Sequence, residues 1–157
     1  MALSYNLTMR EIADRLAGVV GRAAPLLRKA GDAEAGAPAL PGGWSRKQVI
    51  GHLIDSASNN HQRFVRAALA GSLVFPNYDQ NGCVNVQAFQ EAPWTMVVDA
   101  WEAMNRLLVH VLAHLPEEAA GAPCQIGDHE AIPLRQLAQQ YLDHMRHHLE
   151  QIGVSPG

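Results

Sequence analysis

The sequence is short of cysteine, of charge and of long apolar runs. Two cysteines, Cys83 and Cys124, stand far apart in 157 residues. That spacing argues against a disulfide-framed fold and against a cysteine-rich zinc module, and it agrees with a reducing, cytoplasmic setting. Charged residues make up 17% of the chain, the formal net charge is -3, and no basic block stands out, so the electrostatic footprint of a nucleic-acid surface is missing. No stretch approaches the ~20 apolar residues of a membrane span. The opening MALSYNLTMREIADRL carries Arg10, Glu11, Asp14 and Arg15 where a secretory signal would be apolar. The expectation is a soluble cytoplasmic protein without a nucleic-acid or membrane partner. A Ser-His-Asp arrangement, a glycine-rich phosphate loop and an H-E-x-x-H motif are also absent, which sets those enzyme classes aside.

What remains is an ordinary globular balance, 48% hydrophobic, with the length of one domain over residues 1–157. Four amphipathic segments carry it. The first runs from about residue 9 to about 30, opened by the capping-box pair Thr8 and Glu11. Ile12, Leu16, Val19, Ala23 and Leu26 form its stripe, and Pro25 predicts a kink or break. The second runs from about 46 to 70 behind Ser45 and Gln48, with Val49, Leu53, Ala57, Phe64 and Ala68 on its apolar side. The third opens at Pro93 and carries the strongest helical pattern in the chain, its tryptophans and methionines expected in the core. The fourth runs from Pro133 to near Gly153. Between the second and third lies a turn-rich connection with Pro76 and Asn81-Gly82 as breakers, then a short helix over roughly 83–91. A short extended piece is expected at Cys124–Ile126, and no βαβ unit is visible. The fold class is all-α, a four-helix bundle with long connections.

Histidine is the residue in surplus, at eight. His144 and His148 are spaced i, i+4 in LRQLAQQYLDHMRHHLEQI, one turn apart on one helix face. On that wheel His148 falls inside the apolar arc, His144 at its edge, and His147 on the wet side. On the second helix His52, Ser56, Asn59 and Arg63 form a polar line beside the core stripe, with Asp55 on its other flank. Such a line can edge a polar cleft or a solvated face. His52 as third partner would complete an inward set of imidazoles. His61 projects from the opposite side of its helix, His110 faces water, and His114 and His129 lie near loops.

Three imidazoles suit Zn, Ni or Fe in preference to Mg or Ca. Three protein ligands also leave a coordination position open, the arrangement of a reactive site. An open site activates water for hydrolysis or holds a thiol as thiolate. Asp55 and Arg63 are the candidate catalytic helpers.

At GWSRKQVIGHLIDSASNNHQRF and YLDHMRHHLEQI, and more loosely at YDQNG and the PW that opens the third helix, the chain resembles the DinB/YfiT-like superfamily. The resemblance implies an up-down-down-up bundle and a divalent metal held by His52, His144 and His148. It implies homodimers through bundle faces. It also implies activities of two kinds: S-transfer or isomerisation with a low-molecular-weight thiol such as bacillithiol or mycothiol, or metal-dependent hydrolysis. The expected function is therefore a metal-dependent thiol S-transferase or hydrolase acting on a small electrophile. The alternative is a metal- or ligand-binding bundle without turnover, serving as a sensor or stress-response protein.

Overall fold

Two capping boxes fix where the first two long helices begin. In the computed structural model, which describes residues 7–157, helix α1 (Met9–Arg28) starts where the Thr8 hydroxyl accepts from Glu11 N at 3.1 Å and the Glu11 carboxylate accepts from Thr8 N at 2.7 Å. After a short α2 (Asp32–Gly36), helix α3 (Arg46–Ala70) starts in the same way between Ser45 and Gln48. Each box offsets otherwise unpaired amides, an effect of about 1 kcal/mol. Gly71 ends α3 in the left-handed region, at φ 77°, where glycine carries no Cβ penalty. Helix α4 (Gln80–Val86), a 3-10 turn at Phe89–Glu91, helix α5 (Trp94–His114) and helix α6 (Leu134–Gln151) follow.

Packing assigns the topology. Both α1 and α3 pack chiefly against α5 and α6, so the consecutive long helices α1 and α3 lie across a diagonal. Trp94, at the start of α5, donates its indole N–H to Leu27 O at the end of α1, 3.0 Å away; these two helices are antiparallel. Arg46, at the start of α3, reaches Ile152 O beyond the end of α6, which makes α3 and α6 antiparallel as well. Asp32 accepts from Lys47 Nζ at 2.9 Å and from Trp94 N at 2.8 Å, which puts the starts of α3 and α5 at one end, so the chain is an up-down-down-up four-helix bundle.

The core fills the interior with Leu16, Leu27, Ile50, Leu53, Phe64, Trp101, Leu108 and Leu142, all fully buried. Four sequence expectations shift here. Helix α1 continues through Pro25 to Arg28. Pro25 and Gly21 both face solvent, so water can satisfy the carbonyl that loses its donor. Leu27 takes the buried position and Leu26 is 37% exposed; Met96 of α5 is 56% exposed and outside the core. The Asn81-Gly82 pair lies inside α4, because Asp79 caps that helix by accepting from Gly82 N at 3.0 Å.

A small sheet, unexpected from the sequence apart from its middle strand, joins two of the long connections. Strand β1 (Leu73–Phe75) pairs in parallel with β2 (Pro123–Ile126), with Leu73 opposite Cys124, and β2 pairs antiparallel with β3 (Ile132–Pro133). It packs beside the end of α3 and the start of α6. No helix among the described residues is long and apolar enough to cross a membrane.

Candidate metal centre

Helix α3 delivers His52 two turns after its Ser45 cap, and the antiparallel α6 delivers His144 and His148 one turn apart at the same end of the bundle. Their ligating nitrogens all lie within 4.8 Å of one another. His52 Nε2 and His144 Nε2 are 3.2 Å apart. His52 is fully buried and the two α6 histidines are half-buried. His147 is exposed, as its side of the wheel predicts, and it accepts from Gln151 Nε2 at 3.1 Å.

The neighbours explain how His52 is held. A Cβ on Gly51 would collide with the Phe89 ring, so the missing side chain lets that ring lie on the helix beside His52. Ala88, with φ 53°, turns the chain into that position. The Trp44 ring stands 5.4 Å from the His52 ring. Sequence reasoning missed Trp44, Gly51 and Phe89; the one local signal was Trp44 preceding the Ser45 cap.

Electrostatics keep the cluster neutral. Burial, and then the nearby His148, lower the His52 pKa to about 4. Burial and the neighbouring imidazoles lower His144 to about 4. His148 is lowered by burial, partly offset by Gln151. Neutral imidazoles are the ligating form. The residues fit a divalent cation on geometric grounds too. The 3.2 Å between His52 Nε2 and His144 Nε2 is close to the ~3.3 Å between two nitrogens on one tetrahedral zinc.

A cleft of about 180 Å³ opens beside His144. Ser56, Asn60 and Arg63 of α3 line one side, Gln140 and Tyr141 of α6 the other, and Tyr78 the rim. The polar line thus runs through Asn60. Asn59 lies outside the lining; both asparagines turn their amides back one turn, Asn59 to Asp55 O at 2.9 Å and Asn60 to Ser56 O at 2.8 Å. Arg63 is 8% exposed, and its guanidinium lies 5.1 Å from the Phe75 ring centre. Tyr141, buried, donates to Asn105 Oδ1 and so holds the wall. Asp55 is half-buried outside the lining, bonded by Gln87 Nε2 at 2.8 Å, and burial raises its pKa. His61 is half-buried away from the cluster, and His110, His114 and His129 are exposed.

The sequence profile of the DinB superfamily matches residues 7–152. The chain belongs to the DinB superfamily. A candidate metal-dependent hydrolase of Bacillus pumilus (strain SAFR-032) is 26% identical over 140 residues, which is 88% of this chain and 79% of that protein. Among solved structures, this DinB-superfamily chain superposes on YfiT from Bacillus subtilis, described as a probable metal-dependent hydrolase of unusual four-helix topology. The TM-score is 0.72 at 21% identity, covering 92% of this chain and 79% of that one. It also superposes on a mycothiol-dependent maleylpyruvate isomerase with a TM-score of 0.80 at 15% identity, covering 98% of this chain and 64% of the isomerase. At those identities the likeness is one of fold.

Proposed function

We propose that this chain is a metal-dependent enzyme acting on a small electrophilic substrate, with either water or a low-molecular-weight thiol as the nucleophile. The observation that carries the reading is the convergence of His52, His144 and His148, three neutral imidazoles within 4.8 Å, beside a polar cleft. His52, His144 and His148 would hold a divalent transition metal, Zn, Ni or Fe, whose Lewis acidity makes a water or thiol nucleophilic near neutral pH. Gln151 holds His148 in the tautomer that leaves Nε2 free. Trp44, Phe89 and the α3 backbone keep bulk water off His52. Across the cleft, Gln140 presents its amide and Arg63 a positive charge to the substrate.

Hydrolysis draws support from the Bacillus pumilus relative; Asp55, the expected helper, lies outside the cleft lining, with its pKa raised by burial. Thiol transfer draws support from a different observation: among the described residues no carboxylate lines the cleft, and a thiol, far more acidic than water, needs a general base less than a water does. The mycothiol-dependent fold neighbour agrees with that second route.

The test is turnover of an activated ester and of an unsaturated carbonyl compound, each with and without a low-molecular-weight thiol. Zinc-, nickel- and iron-reconstituted protein is compared with chelated protein and with His148→Ala. Metal-dependent turnover lost in the variant supports the reading, and the thiol requirement identifies the nucleophile. Stoichiometric metal without any turnover would replace the enzyme with a binding bundle.

A further inference from the structure

We propose that Arg63 makes the cleft beside His144 a carboxylate subsite, so that the substrate is a small monocarboxylate. This deepens the proposed function and rests on it only for where the substrate reacts; carboxylate binding itself needs no metal.

The argument starts from an unbalanced charge. Arg63 is more than nine-tenths buried, yet among the described residues it has no ion pair and its Nε–H has no partner. Burial works against its charged form, but a guanidinium stays charged in proteins. An uncompensated buried charge is costly, and an anion on binding removes that cost. The Phe75 ring holds one face of the guanidinium, which leaves its edge for a ligand. Planar, forked donors match a carboxylate.

The surroundings select among anions. Arg63 is the one cationic side chain lining the cleft, with no lysine or second arginine beside it. One positive charge balances a monoanion and leaves half of a phosphate dianion unmet. Ser56, Asn77 and Gln140 line the cleft with neutral donors, while the Asn60 amide is bonded to Ser56. Helical side chains lean toward the helix N-terminus, so on α3 Arg63 leans toward the His52 end. The eleven-residue step from His52 to Arg63 rises ~16 Å along the axis. A ligand anchored at Arg63 therefore extends its other end toward His144, and the carboxylate is remote from the reacting centre.

The probe is butyrate, with butyramide as its uncharged counterpart and inorganic phosphate as the competing anion. Each is titrated into metal-free and zinc-reconstituted protein by calorimetry, and the Arg63 Nε–H resonance is followed by NMR in the wild type. Butyrate should bind both forms, shift that resonance, and bind at least tenfold more weakly to Arg63→Gln, while Arg66→Gln leaves it unchanged. Butyramide should not bind. The proposal is overturned if butyrate and butyramide bind alike, if phosphate binds more tightly, or if the Arg63 resonance does not move. The resonance decides even if Arg63→Gln fails to fold. Butyrate binding to zinc-loaded protein alone, with Arg63 unmoved, would sink the subsite and leave the metal reading intact. Butyrate binding through Arg63 in protein that takes up no zinc would do the reverse.

Discussion

His148 donates its Nδ1–H to the Gln151 side-chain oxygen at 2.9 Å, while the amide end of the same glutamine donates to His147 at 3.1 Å. Gln151 thereby assigns opposite duties to adjacent histidines. It fixes the His148 tautomer with Nε2 free to ligate and occupies the His147 nitrogen outside the cluster. Partners of this kind typically contribute 10–100-fold in metal affinity. Gln151→Leu should weaken zinc binding by about tenfold in a chelator competition, and Gln151→Glu, which keeps the acceptor, should recover most of it. Equal affinity in all three proteins would remove Gln151 from the site.

Acid should destabilise the metal-free protein in a defined window. His52 and His144 have folded pKa values near 4 against an ordinary value of 6.5. Between those values the unfolded chain binds more protons than the folded one, so stability rises with pH. The melting temperature of metal-free protein should fall as pH drops from about 6.5 toward about 4. In a His52/His144/His148 triple-alanine variant the curve should be flatter over that range. Parallel curves would place the acid sensitivity elsewhere.

Gly51 tests the packing that seats His52. Adding a methyl there drives the Phe89 ring away, and overpacking of this kind costs about 1–3 kcal/mol. Gly51→Ala should lower the melting temperature and weaken metal binding together. Trimming the ring as well, in Gly51→Ala with Phe89→Leu, should restore part of both. A fully neutral Gly51→Ala would mean that the 3-10 turn moves freely and does not position His52.

The long helices were legible because their signals are local. Thr8 with Glu11 and Ser45 with Gln48 marked two starts, and the 100° periodicity turned His144 and His148 inward and His147 out. The second helix, expected over 46–70, is Arg46–Ala70. What the sequence hid depends on partners far along the chain. Leu73–Phe75 is too short to show a period and is a strand only because Cys124–Ile126 pairs with it. Asn59 and Asn60, three and four residues after Ser56, flank it on opposite sides of the helix wheel, and the side on which α6 packs decides that Asn60 meets the cleft. Gly51 reads as a helix-weakening residue until Phe89 is seen lying on it. The three ligand candidates were found from one wheel and one resemblance, whereas Arg63 gained its meaning only from the missing counter-charge around it.

The central claim is that His52, His144 and His148 hold one metal ion between α3 and α6. Elemental analysis of tag-free protein tests it most directly, with wild type beside His147→Ala, His148→Ala and the triple-alanine variant, each after reconstitution with Zn, Ni and Fe. The account predicts near one equivalent of transition metal in wild type and His147→Ala and none in the other two. No metal in wild type, or equal loss in His147→Ala and His148→Ala, would contradict it.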